Sequence, residues 1–437
     1  MAWVLAGAEG SKVMKLKDFF DENLDREAFR REVVDCYRKY VNSSAVDMLA
    51  MASLDIVEWE RGGAYITDLS GEKLIDCVEG AGCFNVGRHN KEVAEVIKKA
   101  VERFDMGGWI GLIPQRAALA EKLAELAPEG LRYSFFTSGG GEAIDTAIKF
   151  AKGATGKPKI ISAINGYHGH TGYALSATGR DVYKEPFAPL MPGFSHVPYN
   201  DLEALEKSID DGTAGVILET IQGEGGIIVP DDDYLPGVRE MCNAHDVIMI
   251  LDEVQTGFGR TGKFFGCEHW KVSPDIMVLS KSMTAGFLPI SANVFNEKVA
   301  KFTEANPFIH VNSHGGTSVT CLAAMAGIEY IQRNDLCGNA ERMGAKLMEG
   351  LKRLKDKYPR FIKDIRGKGL MIGIEFPSED IGPLMSAEIR QNGVITIFTM
   401  NNPSVVRIMP TLVITDREVA TILAAYDKAM GVVSKRF

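Results

Sequence analysis

No stretch of this chain stays apolar for anything near the ~20 residues that a membrane-spanning helix needs, so no membrane span is expected. Positive charge is also in short supply. The sequence carries 49 lysines and arginines against 58 aspartates and glutamates, a formal balance of −9, with no long basic cluster to offset it. That argues against binding nucleic acid or an anionic membrane through a basic face. The seven cysteines (Cys36, Cys77, Cys83, Cys242, Cys267, Cys321 and Cys337) are odd in number, scattered, and never spaced as C-x-x-C. Such usage points to reduced thiols in a cytoplasmic setting and away from a disulfide framework or a zinc site; no metal site is expected. Residues 1–10 begin apolar but have no basic flank and no sustained hydrophobic core. They read as a small cap or arm, not a signal peptide. Internal repeats and low-complexity tracts are absent from the sequence.

What the chain does have is the composition of an ordinary globular protein, 46% hydrophobic and 24% charged over 437 residues, enough for a large core and two or three subdomains. Residues 16–41 place Phe19, Phe20, Leu24, Phe29, Val33, Val34 and Tyr37 at helical spacing, which predicts an amphipathic helical arm. Residues 56–78 turn to short strands around a turn at Asp68 to Gly71, a small antiparallel meander. From Tyr133 onward, short apolar runs alternate with helical patterns, at residues 159–162, 195–198, 216–219, 248–251, 276–279 and 290–294. That alternation predicts an α/β fold with a mainly parallel sheet covered on both faces. Near residue 335 the pattern changes to a compact α+β segment, with strands at 369–376, 393–397 and 405–410 and a last helix over 416–433. The division expected is an N-terminal arm and small-domain segment over 1–75, a large domain over 76–335 and a C-terminal domain over 336–437.

In parallel sheets ligands gather outside the carboxyl ends of the strands. Two buried-strand runs end there in groups that a core does not choose for stability: Ile248 to Leu251 delivers Asp252, and Ile276 to Leu279 is followed by Lys281. A carboxylate to keep a pyridinium nitrogen protonated and a lysine to form a Schiff base are the pair that pyridoxal phosphate chemistry requires. Upstream, Ser138-Gly139-Gly140-Gly141 lies between a strand and a helix, where free N–H groups and the positive helix end make an anion site suited to the cofactor phosphate. Tyr167 also lies just past a strand end. The glycine-rich run from Gly80 to Gly87 reads equally as a ligand mouth or a tight loop.

The motifs Gly166-Tyr167-His168-Gly169, Glu219-Thr220-Ile221-Gln222-Gly223-Glu224-Gly225-Gly226, Asp252 through Gly262 and Lys281 resemble those of the class III, omega-type aminotransferases. The likeness runs from about residue 30 to the C-terminus and is nearest to putrescine aminotransferases. It implies a fold-type I pyridoxal phosphate enzyme: a large domain with a mainly parallel seven-stranded sheet, and a smaller α+β domain built from both chain ends. It implies Lys281 as the covalent anchor and proton carrier, Asp252 at the pyridine nitrogen and Gln255 at the ring hydroxyl. Tyr167 would lie on the ring face, with Gly140 and Gly141 at the phosphate. Ser313 stands where the family has a threonine that reaches the phosphate of a neighbouring subunit, which implies a homodimer with shared sites and leaves pairing into tetramers open. Arg407 matches the carboxylate-binding arginine and Glu224 the glutamate that can neutralise it. The substrates implied are a primary amine, diamine or ω-amino acid and a 2-oxo acid, in a ping-pong reaction; an amino-acid racemase or epimerase on the same fold is the alternative. The chain departs from the family at Ser138 to Gly141, where a hydroxyl residue usually stands beside the glycine, and at Ser282 to Gly286, His314 and Thr317 to Val319.

Overall fold

The apolar runs that alternate with helices become the strands of one twisted sheet. The computed structural model describes residues 14–21, 23–108 and 111–437, so the apolar N-terminal start lies outside the described residues. In chain order the strands are β1 (Glu58–Gly62), β2 (Tyr65–Asp68), β3 (Lys73–Asp76), β4 (Tyr133–Thr137), β5 (Lys159–Ala163), β6 (Phe194–Val197) and β7 (Thr213–Glu219). They continue with β8 (Ile248–Asp252), β9 (Ile276–Leu279), β10 (Ser291–Phe295), β11 (Asp364–Lys368), β12 (Met371–Glu375), β13 (Val394–Ile395) and β14 (Val405–Ile408). The large sheet has seven strands in the order β4-β10-β9-β8-β7-β5-β6. Only β10 runs against its neighbours; the β9-β8-β7-β5-β6 pairs are all parallel.

Side chains on β8 and β9 alternate between two cores, as period-2 geometry demands. Ile248, Ile250, Ile276 and Val278 pack with Ala143, Ile144, Ala147 and Phe150 of the helix Gly140–Thr155. Met249, Leu251, Met277 and Leu279 face the larger core on the other side. Each fully buried aliphatic contributes about 1.5–3 kcal/mol. Both faces are therefore closed, and the strands offer ligands only their ends.

The remaining strands form a four-stranded sheet, β1-β2-β3-β13, and a three-stranded one, β11-β12-β14. β13 pairs in parallel with β3, Val394 opposite Ile75, so the two chain ends are joined in one sheet. The chain thus has the α/β fold of type I expected, with its small α+β part drawn from both ends. Among the described residues, no helix is long and apolar enough to cross a membrane.

The arm differs from the single helix predicted over residues 16–41. It is a 3₁₀ turn (Leu16–Phe20), a helix (Arg26–Tyr37), a π-helical turn (Arg38–Asn42) and a second helix (Ser43–Met51). Two caps cause the breaks: Asp25 accepts from Ala28 N at 3.1 Å and Asn42 accepts from Ala45 N at 3.0 Å, each starting a new helix. The first strand begins later than expected. Val57 N donates to Asp68 Oδ2 at 2.6 Å instead of joining the ladder.

Candidate active site

Asp252 is the last residue of β8 and sits in register with Glu219, the last residue of β7. In-register residues of neighbouring parallel strands point the same way, so two carboxylates stand side by side at the sheet's carboxyl edge. Asp252 is 6% exposed; its Oδ1 accepts from Val254 N at 3.0 Å and its Oδ2 lies 2.8 Å from His168 Nδ1. Glu219 accepts from Tyr167 N and Gly223 N, both at 2.9 Å. Burial, with the Asp252 carboxylate adding to it, pushes Glu219 up to about 7 against the opposing pull of His168 and the two N–H groups. The next acid, Glu253, points the opposite way and is consumed by structure, accepting from Gly266 N (2.9 Å), Cys267 N (2.6 Å), Thr220 Oγ1 (2.8 Å) and Thr256 Oγ1.

Lys281 opens the 3₁₀ turn Lys281–Thr284 just beyond β9, with its backbone in the left-handed region at φ 42°. A non-glycine residue there is strained, and such strain collects at functional positions. The turn is pressed against the helix Ser318–Arg333 at Gly327, where a Cβ would come 3.2 Å from Met283 O.

Lys281 and Asp252 line one cleft of about 200 Å³ together with Gly140, Gly141, Tyr167, His168, Glu219, Glu224 and Gln255. Gly140 and Gly141 open the helix Gly140–Thr155, whose N-cap residue Gly139 supplies no side-chain cap. The first-turn N–H groups have no intrahelical acceptor and belong to residues that line the cleft, which makes the helix end a ready anion site. Gln255 Nε2 donates to Ala81 O at 3.0 Å, so the glycine-rich run of residues 80–87 closes over the site. The Gln255 side chain is itself closely packed on the β7 side: a Cβ on Gly223 would fall 1.9 Å from Gln255 Oε1.

Arg407, on β14, reaches Glu224 from the C-terminal part, with Nη1–Oε1 2.7 Å and Nη2–Oε2 2.5 Å. Burial works against the charged form of Glu224, but Arg407, the Met400 N–H and the nearby Lys281 cation outweigh it and hold the carboxyl below its usual range. The two parts of the chain are locked together by Arg260, fully buried. It pairs with Glu79 and donates to Asn85 Oδ1 (2.5 Å), Leu370 O (3.1 Å) and Pro410 O (2.5 Å).

Of the residues expected at the site, Gly140, Gly141, Tyr167, Glu224, Asp252, Gln255 and Lys281 therefore surround one cleft, and Arg407 joins them through Glu224. Ser313 does not; it is exposed, on the segment that leads to the helix Ser318–Arg333. Glu219 and His168 were visible only inside motifs. Glu219 follows the same rule as Asp252, an acid ending an apolar run, and could have been singled out on that ground.

Two buried polar atoms of cleft residues, His168 Nε2 and Gln255 Oε1, have no partner among the described residues. Together with a helix-end anion site, an aromatic face, a carboxylate and an amine, they fit a phosphorylated heteroaromatic aldehyde, which is what pyridoxal phosphate is. The class of protein is thus a fold-type I pyridoxal phosphate enzyme. The sequence pattern of the aminotransferase class-III family matches residues 49–430. An uncharacterized aminotransferase of Archaeoglobus fulgidus is 42% identical over 407 residues, covering 93% of this chain and 96% of that protein. The ornithine aminotransferase of Toxoplasma gondii superposes with a TM-score of 0.87 at 29% identity, over 94% of this chain and 98% of that one. An amine transaminase from an uncultivated Pseudomonas species, in its PLP-bound form, does so with a TM-score of 0.80 at 31% identity, over 86% and 94%. The chain belongs to the class III aminotransferases. Its cofactor is pyridoxal 5′-phosphate.

Proposed function

We propose that this aminotransferase takes its amino group from a primary amine, diamine or ω-amino acid and passes it to a 2-oxo acid, the two substrates using one site in turn. The observation that carries the reading is the buried Arg407–Glu224 pair beside the cleft. A free arginine there demands a carboxylate; an arginine already matched by Glu224 accepts a substrate end that has none. Neighbours named for ornithine and for amines support a donor whose reacting amine stands apart from any carboxylate.

When bound, pyridoxal phosphate supplies an electron-accepting ring to the carbon that loses its proton. Lys281 would tether it, Gly140 and Gly141 N–H groups would hold its phosphate, and Tyr167 would cover a ring face. Asp252, oriented by His168 and Val254 N, would hold the ring nitrogen's proton, and Gln255 would stand on the hydroxyl side. In each half Lys281 Nζ would move one proton between the substrate carbon and the cofactor's C4′, away from the amine-bearing carbon of the donor and, in the second half, onto the carbon that carried the oxo group of the acceptor. Glu224 would neutralise Arg407 during the first half and yield it to the 2-oxo acid's α-carboxylate during the second. Ser313, exposed on its own chain, would reach a neighbouring subunit's phosphate, making the working form a homodimer with shared sites. A cytoplasmic location suits the unpaired cysteines.

The test is a panel of amines and 2-oxo acids offered to the purified holoenzyme, read by the absorbance of the protein-bound cofactor and by mass spectrometry of products. The reading requires the band to bleach with donor and return with acceptor, with carbonyl product and amino acid formed in equal amounts. A band that never responds, or solvent deuterium entering an amino acid's α-carbon without any keto acid, would overturn it, the latter in favour of an isomerase.

A further inference from the structure

Glu224 does not hold Arg407 by itself. The Oε2 atom that accepts from Arg407 Nη2 also accepts from Met400 N at 2.8 Å, and the Glu224 main-chain carbonyl accepts from Asn401 N at 2.9 Å. Residues 398–402 join β13 to β14 and lie directly over the pair. Phe398 O accepts from Arg407 Nη2 at 3.4 Å, and Asn401 Nδ2 donates to Asn165 O at 2.8 Å. On the outer side, Met400 O accepts from Arg180 Nη1 at 2.9 Å and from Tyr183 Oη at 3.2 Å. Tyr183 continues inward through edge-on contacts to His170 (5.8 Å) and from there to Tyr167 (5.5 Å). Residue 400 is therefore pinned at both ends, its carbonyl by the segment after β5 and its N–H by the glutamate that neutralises the arginine.

We propose that residues 398–402 are a latch on the Glu224–Arg407 pair, with Arg180 and Tyr183 as positioning residues that set how readily Arg407 is released to a substrate carboxylate. This rests on the reading of the pair as the substrate switch. A carboxylate can take Arg407 only if Glu224 leaves, and a departing Glu224 strips Met400 N of its acceptor. A donor without a carboxylate asks for no such opening. The latch thus opposes one half of the reaction and leaves the other untouched, so selectivity between substrates is tuned by contacts that meet neither. Met400 is 40% exposed, and removing its outer anchors leaves water to solvate the freed carbonyl. The consequence has a sign: loosening the anchors favours binding of carboxylates, where damage to the site would weaken it.

The experiment uses the holoenzyme with glutarate as the carboxylate probe and a carboxylate-free monoamine as the control. Wild type is compared with Arg180→Ala/Tyr183→Phe, Arg180→Lys and Arg407→Gln, by calorimetric titration and by hydrogen exchange over residues 398–402. The double variant is expected to bind glutarate about five- to tenfold more tightly, the equivalent of weakening one hydrogen bond to a charged group, with the monoamine KM unchanged. Arg180→Lys, which keeps a donor for Met400 O, should behave as wild type. Exchange over 398–402 should rise when wild type binds glutarate and be fast from the start in the double variant. If Arg407→Gln loses glutarate binding while the double variant binds it as wild type does, the latch is wrong and the switch stands. Parallel losses of glutarate and monoamine binding in the double variant would mark a merely structural role and also overturn the latch. If Arg407→Gln binds glutarate normally, the switch reading itself fails and the latch falls with it.

Discussion

Replacing Glu224 by glutamine removes a charge and almost no volume, so it isolates what the carboxylate does for Arg407. In the wild type the guanidinium is 2% exposed and meets Glu224 at 2.7 and 2.5 Å. A glutamine carbonyl can still accept from one Nη, but its amide group turns a donor toward the other. One charge-assisted hydrogen bond is lost, worth about 1.5–3 kcal/mol. Without a ligand the variant should unfold at lower temperature, by less than the ~3–5 kcal/mol cost of a wholly unpaired buried charge. With a 2-oxo acid present, the effect reverses. Arg407 no longer has to be taken from a competitor, so the affinity for 2-oxoglutarate should rise about 10- to 100-fold, while the KM of a carboxylate-free amine rises because the pocket now holds an unmatched cation. Substrate titrations of both half-reactions, with thermal denaturation run with and without glutarate, provide the readout. The sign with pH is fixed as well. The folded Glu224 carboxyl titrates below the 4.5 of a free glutamate, so its contribution is intact above that pH and is lost as pH falls through the folded value. A variant whose 2-oxoglutarate and amine affinities both stay at wild-type values would refute the argument.

Asp252→Asn keeps the shape of the group that accepts from Val254 N but removes the charge that would hold a protonated ring nitrogen. Rates of both half-reactions should fall by about 10²-fold or more, with the cofactor still bound, measured by stopped-flow absorbance against cofactor content. Glu219→Gln bears on pH. A carboxyl at about 7 in the folded protein against 4.5 in the free residue binds a proton that the unfolded chain has lost, so native stability declines as pH rises between those values. Denaturant unfolding at about pH 5 and about pH 8 should show that decline in wild type and a flatter profile in the variant. Gly223→Ala would set a Cβ against Gln255 Oε1, forcing the amide off Ala81 O; weaker cofactor retention on dialysis is the expected outcome, and unchanged retention would count against Gln255 as a cofactor contact.

The large sheet could be read from sequence because its strands are buried on both faces and so write themselves as short, unbroken apolar runs. Asp252 and Lys281 stood out for the same reason, as polar groups at the ends of such runs, and the sheet brings them to one cleft. Long-range pairing was not legible in that way. Nothing local in Val394 and Ile395 says that they lie beside Ile75 and Asp76, more than 300 residues earlier in the chain. Nor does local pattern reveal β11, where Asp364, Arg366 and Lys368 are charged, all five residues are half-buried, and the strand form comes from pairing with β12. The arm misled because its apolar spacing continues across Asp25, which acts as a cap, and runs on into the π-helical turn that begins at Arg38. Met400, Arg180 and Tyr183 carry no motif at all; their meeting is visible only once the segment between β13 and β14 is folded over Glu224.

The chemistry of the site depends most on one covalent link. Borohydride reduction of the purified holoenzyme turns an imine between lysine and cofactor into a stable secondary amine, which peptide mass spectrometry can then assign to a residue. The label is expected on the peptide containing Lys281, and it should be missing from a Lys281→Ala variant that retains its fold. A label on any other lysine, or an unlabelled Lys281 in a protein that turns over, would contradict the site described above.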